Sequence, residues 1–247
     1  AIPIEEPEDP GLLYATAAAA WHDDYDAFTP QATIQVGFGT NIEDESFQRD
    51  ALNLCVVIDR SGSMADPVDA RSGATKWDAV MVAVDRLLGH LDGGDRVSVV
   101  TFNEDAELRE EFAAGDDVAA VKGSLDGIEP DGGTDIFRGM RRGYRTVRDH
   151  SDPARRDRII VFTDALPTVG RYTLPQFIDM MEEYAEDDIG TTILGVGIDF
   201  GDELAYEISQ VRGANYFFLS DYERIVSVFD EEFDYLVTPI AYDIELT

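Results

Sequence analysis

The stretch Leu52-Asn53-Leu54-Cys55-Val56-Val57-Ile58-Asp59-Arg60-Ser61-Gly62-Ser63-Met64 decides the fold. Its first seven residues are an apolar run of strand length, which reads as a buried strand. It runs straight into a polar turn. The same alternation of apolar strand and helical period recurs for the rest of the chain. Trp77–Leu91 carries Val80, Val84, Leu87, Leu88 and Leu91 at helical spacing. Strands are expected at Val97–Phe102, Arg158–Thr163, Thr191–Val196 and Asn215–Phe218, and an antiparallel one at Ala106–Phe112. Helices are expected at Asp117–Leu125, Ile136–Val147, Leu174–Ala185, Glu203–Val211 and Tyr222–Leu236. Alternation of this kind predicts an α/β fold: a doubly wound, mostly parallel central sheet with helices on both faces.

Outside this unit the pattern changes. Residues 1–11 are rich in Pro and acid and read as an extended arm. Leu12 to Trp21 is Ala-rich and reads as a short helix, whereas Thr33–Phe38 alternates as a strand. The stretch 239–247 alternates again. The expected organisation is therefore an N-terminal arm, helix and flanking strand over 1–50, an α/β domain over 51–237, and a C-terminal flanking strand over 238–247. That last strand is expected to pair with 33–38 in a small β-subdomain. The chain begins at Ala1 without Met, which reads as a processed or excised form.

Composition narrows the function. The 247 residues hold 51 Asp+Glu against 19 Lys+Arg, a formal net charge of −32. Such a charge repels phosphates and argues against nucleic acid as a partner. No apolar run approaches the roughly 20 residues of a membrane span. Only two cations are lysines, Lys76 and Lys122; the other 17 are Arg. Self-repulsion of this size suits molar salt, where the Debye length falls to about 3 Å. The reading is a protein of a halophile, archaeal in origin. Eight of the 19 cations fall between Arg138 and Arg158, either paired with neighbouring carboxylates or free to dock an acidic partner. Cys55, the single cysteine, reads as a packed and inert thiol.

The turn after the first buried strand carries the chemistry. Asp59, Ser61 and Ser63 alternate on an extended loop, so their side chains can converge. A strand's carboxyl end is where an open parallel sheet places its ligands. Two further oxygen donors stand at matching places: Thr134 in the loop Asp131-Gly132-Gly133-Thr134-Asp135, and Asp164 after the strand Arg158–Thr163. If the strands at 52–58 and 158–163 are neighbours, the three loops meet. Hard oxygen donors without nitrogen or sulfur suit Mg²⁺, with Mn²⁺ or Ca²⁺ as alternatives, and do not suit Zn²⁺.

Asp59-x-Ser61-x-Ser63 with Thr134 and Asp164 resembles the metal-ion-dependent adhesion site of von Willebrand factor type A domains, over about residues 50–237. The resemblance implies a Rossmann-like fold in which Ser61 and Ser63 bind the metal directly. Thr134, Asp59 and Asp164 would bind it directly or through water. One coordination position is then left for an Asp or Glu of a protein partner. Two departures stand out: Ala165 follows Asp164 where relatives often have Gly, and Asp135 stands where Asn is common. Asp135 reads either as a helix cap or as added negative charge. The resemblance implies a non-enzymatic binding module, and the flanking β-strands favour a cell-surface or secreted protein over a cytoplasmic one. Two other classes stay open: a subunit of an AAA+ ATPase-type assembly, and a Mg²⁺-dependent phosphoryl-transfer enzyme. Against the enzyme, Asp59-Arg60-Ser61 lacks a second carboxylate, and His22, His90 and His150 lie outside the site segments.

Overall fold

The computed structural model describes residues 13–23, 30–40, 49–164, 172–197, 201–231 and 233–238. The expected arm over 1–11, Ala165 and the expected strand over 239–247 lie outside them. The chain divides after Gln48 into two units.

In the first unit, β1 (Leu13–Asp23) pairs antiparallel with β2 (Pro30–Thr40). This corrects the helix expected at Leu12–Trp21. Alanine's helix preference is a weak prior, and an isolated helix of that length is marginal in water. Pairing small with large residues across the strands decides instead. Ala15, Ala17 and Ala19 lie opposite Phe38, Val36 and Ile34, while Tyr14 lies opposite Gly39. A Cβ on Gly39 would sit 2.5 Å from the Tyr14 ring, so the aromatic covers the glycine. The strand expected at Thr33–Phe38 is thus part of β2, and its partner among the described residues is β1.

The second unit holds a six-stranded sheet. Its strands are β3 (Leu52–Asp59), β4 (Arg96–Phe102), β5 (Ala106–Ala114), β6 (Arg156–Thr163), β7 (Gly190–Val196) and β8 (Ala214–Leu219). The order is β5-β4-β3-β6-β7-β8, and all pairs are parallel except β4 with β5. The helices are α1 (Lys76–Gly89), α2 (Val118–Leu125), α3 (Ile136–Asp149), α4 (Leu174–Ala185), α5 (Gly201–Gln210), α6 (Tyr222–Glu231) and α7 (Phe233–Val237). The last two occupy the closing helical stretch, on either side of residue 232.

Every residue of β3 is buried, because helices cover both faces of the sheet. The pleat sends Leu52, Leu54, Val56 and Ile58 into a core with Val80, Leu87 and Phe229. Cys55 and Val57 enter the opposite core with Met140, Tyr144 and Phe177. The Cys55 thiol is buried, and burial pushes its pKa well above the ordinary thiol value. It is an inert packing group.

Helix α3 matters most for the site, because the Asp131–Asp135 loop feeds directly into it. Two glycines bring it close to the sheet. A Cβ on Gly139 would sit 2.5 Å from the Phe102 ring, and one on Gly143 2.5 Å from Val57 Cγ2. Gly143→Ala is therefore expected to destabilise the fold by about 1–3 kcal/mol, despite alanine's better helix propensity. Urea unfolding in molar KCl measures this, and an unchanged or raised midpoint would show that α3 has room to spare.

Candidate metal centre

The site is built where β3 and β6 end side by side. They pair in parallel with Ile58 opposite Phe162, which places Asp59 beside Thr163 and Asp164 just beyond. Asp59 closes β3 and turns the chain. Its Oδ1 accepts from the Ser61 backbone N–H at 2.8 Å, and its Oδ2 accepts from Thr163 Oγ1 at 2.7 Å. Ser61 is extended (φ −62°, ψ 163°) and leads into a single 3-10 turn, Gly62–Ala65, whose Met64 is buried beneath it. The Oγ atoms of Ser61 and Ser63 stand 3.3 Å apart, and Ser63 Oγ donates to Asp164 Oδ1 at 2.9 Å. Four of the five expected donor residues are therefore linked in one connected group.

The fifth, Thr134, arrives on the neighbouring loop. Gly62 N donates to Gly132 O at 3.0 Å, and Asp131 N donates to Arg60 O at 2.8 Å. Gly132 has φ +75°, a left-handed conformation that glycine adopts without penalty. The loop's far end is tied by Asp135 N to Asn103 O at 2.7 Å. Asp135 caps α3, its carboxylate accepting from Arg138 N at 2.9 Å. The cap reading of this residue is realised. Thr134 sits half-buried between these ties.

Electrostatics single out Asp59. Its side chain is fully buried, and burial pushes its pKa up to about 6. The hydrogen bonds from Thr163 and Ser61 work against the rise, and the nearby Asp164 carboxylate adds to it. Among the described residues no arginine pairs with either carboxylate. Instead Lys76 Nζ lies 2.7 Å from Asp164 Oδ2, with side chains only 14% and 2% exposed respectively. Motif reasoning missed Lys76. The chain leaves the site at Asp66 and returns through a hairpin-like loop, with Pro67 bridged to Thr75 and Lys76 N bonded to Asp66 O at 2.9 Å. One signal was available in the sequence: Lys76 is one of two lysines among 19 cations. Asp66 is exposed, as expected of a solvated surface residue. Asp69 instead folds the return loop, accepting from the backbone N–H groups of Arg71 and Ser72, which lower its pKa to about 2.

The arginine-rich segment is largely engaged elsewhere. Arg138 pairs with Asp105, Arg148 with Asp187, Arg155 with Asp152 and Arg156 with Asp50. Arg158 is buried and donates to Thr192 Oγ1. Arg141, Arg142 and Arg145 are exposed on α3 and make no ion pair among the described residues.

The donor set fits a hard divalent cation. Two nearly buried carboxylates and two serine hydroxyls converge, with oxygen as the only ligand element. Among the described residues no three His, Cys, Asp or Glu side chains gather into a metal-sized cluster. A cation here would rest on hydroxyls as much as on charge. The ammonium already seated on Asp164 shows that positive charge is accommodated at this point. Neither His90, stacked on Phe233, nor His150, bonded to Thr146 O, takes part.

Comparison with known proteins agrees with the fold. Residues 54–166 match the family described as von Willebrand factor type A domain. Inter-alpha-trypsin inhibitor heavy chain H2 of Homo sapiens is 30% identical over 155 residues. That match covers 60% of this chain and 16% of the relative's length, so the chain spans only a small part of that protein. Among solved structures, the SpRpn10 VWA domain superposes with a TM-score of 0.62 at 12% identity, covering 79% of this chain and 100% of that one. A von Willebrand factor type A protein from Catenulispora acidiphila gives 0.62 at 18%, covering 90% of this chain and 45% of the other. At such identities the structures show a shared fold. Together the family match and the fold support a von Willebrand factor type A domain.

The raised pKa of Asp59 has a consequence for stability. Its protonated form is favoured in the fold, so its contribution is fully present below the unfolded pKa and lost as pH rises through about 6. In chelator, the wild type should lose about 1 kcal/mol relative to Asp59→Asn between pH 5 and pH 7.5. Denaturant midpoints of both proteins at the two pH values measure it. A constant difference would mean that Asp59 titrates normally.

Proposed function

We propose that this domain binds a protein partner through a divalent cation held by Asp59, Ser61, Ser63, Thr134 and Asp164. The observation that carries the reading is the linked group at the ends of β3 and β6, where Ser61 Oγ, Ser63 Oγ and Asp164 Oδ1 follow one another at 3.3 and 2.9 Å. Mg²⁺ is the first candidate, and Mn²⁺ and Ca²⁺ suit the same oxygen donors. The ion would supply a Lewis-acidic point at the carboxyl edge of the sheet. The protein's own residues do the rest. The hydroxyls of Ser61, Ser63 and Thr134 offer lone pairs without charge, so they would leave the ion positive. Asp59, fixed by Ser61 N and Thr163, is oriented before any ligand arrives. A site of this composition favours an anionic partner group over a neutral one, and a protein offers that as Asp or Glu.

The test is calorimetric titration of Mg²⁺ in molar KCl into the wild type, Asp59→Ala and Ser61→Ala. Both variants are expected to lose at least about tenfold in affinity, since each removes a charged or hydrogen-bonding donor worth over 1 kcal/mol. Equal affinity in all three would remove the metal from the account. A panel of phosphate esters run with the same proteins tests the hydrolase alternative. Metal-dependent turnover abolished by Asp59→Ala would replace the binding reading with an enzymatic one.

A further inference from the structure

Lys76 stands at the metal centre by construction. Its backbone is pinned at the first turn of α1, behind a capping box in which Thr75 accepts from Asp78 N and the Asp78 side chain accepts from Thr75 N. Its N–H is also tied to Asp66 O. The stem passes Gly197, just after β7. A Cβ there would sit 3.3 Å from Lys76 Cε, so the glycine keeps room for the side chain. The ammonium ends 2.7 Å from Asp164 Oδ2, while the other oxygen of the same carboxylate takes Ser63 Oγ. Asp164 is thus divided between a fixed cation and a serine of the candidate metal shell.

The charge count follows. Asp59 and Asp164 bring two negative charges and Lys76 returns one positive. A divalent cation added to that set leaves the site with one net positive charge, whereas without Lys76 it would be neutral. Salt screens a nearly buried pair far less than a surface one. This balance therefore persists in the saline medium that suits the rest of the chain.

We propose that Lys76 is a built-in cation of this site, which shares Asp164 with the bound metal, weakens the metal's hold, and keeps the metal electrophilic toward a carboxylate. The proposal rests on the metal-binding reading above. It makes Lys76 a tuning residue that touches neither partner nor metal and acts through Asp164. It predicts that the two affinities move in opposite directions, which a merely structural lysine would not cause.

The experiment titrates Mn²⁺ alone, then acetate into the Mn²⁺-loaded protein, in molar KCl. The proteins are the wild type, Lys76→Gln, Lys76→Met, Lys76→Arg and Asp59→Ala. Lys76→Gln is expected to bind Mn²⁺ about tenfold tighter and acetate about tenfold more weakly, the scale of one charge-assisted hydrogen bond. Lys76→Arg keeps the charge and should stay near the wild type in both. Lys76→Met serves as a second neutral variant should the glutamine variant not fold. Unchanged or weaker Mn²⁺ binding in the neutral variants, with binding lost in Asp59→Ala, overturns the role of Lys76 and leaves the metal site standing. A fall in both affinities likewise overturns it. Absence of Mn²⁺ binding in the wild type and in both neutral variants overturns the metal reading, and the role of Lys76 with it.

Discussion

A carboxylate buried at the end of the central strand is the constraint on which this site depends. Asp59 lies between two parallel neighbours, out of contact with water, and among the described residues no guanidinium pairs with it. What holds it are dipoles, among them the Ser61 backbone N–H and the Thr163 hydroxyl. Burying a carboxylate under these terms is costly, and its pKa rises accordingly. The remaining features serve the same place. Parallel pairing of β3 with β6 sets Asp164 alongside, glycines in α3 let its helix approach, and two backbone hydrogen bonds dock the Thr134 loop.

The charge of the whole chain takes on a narrower meaning beside that site. A net charge of −32 would steer partners over long distances in dilute buffer. In molar salt the Debye length is about 3 Å and steering is lost. Under those conditions recognition of the proposed partner would act at contact, through groups that shed water to meet. A metal–carboxylate bond acts in this way. The ammonium of Lys76, set on an almost fully buried carboxylate, is likewise little screened by salt.

Much of the α/β unit was legible in the sequence because its signals are local. The run Leu52–Ile58 is apolar without alternation, and only a strand covered on both sides needs that. The positions of Asp59, Ser61, Ser63 and Asp164 followed from strand ends, given that β3 and β6 are neighbours. The misses have non-local causes. Lys76 reaches the site only because the chain loops out at Asp66 and closes again at Thr75. No spacing rule connects residue 76 to residue 164. The hairpin β1–β2 was hidden by alanine, whose propensity points to helix until Ile34, Val36 and Phe38 on the facing strand are considered. The Thr134 loop docks through backbone bonds to Arg60 and Gly62 and through side chains from other segments, Arg60 on Asp131 and Asn103 on Asp131, pairings that no spacing along the chain announces.

The central claim is that the ends of β3 and β6 form a cation site whose donors are mainly hydroxyl oxygens. Anomalous diffraction from crystals of the domain grown with Mn²⁺ tests it most directly. The account predicts a single strong peak in contact with the Oγ atoms of Ser61 and Ser63, at the edge where Asp59 and Asp164 stand. A peak bound elsewhere on the acidic surface, with none at these serines, would contradict it.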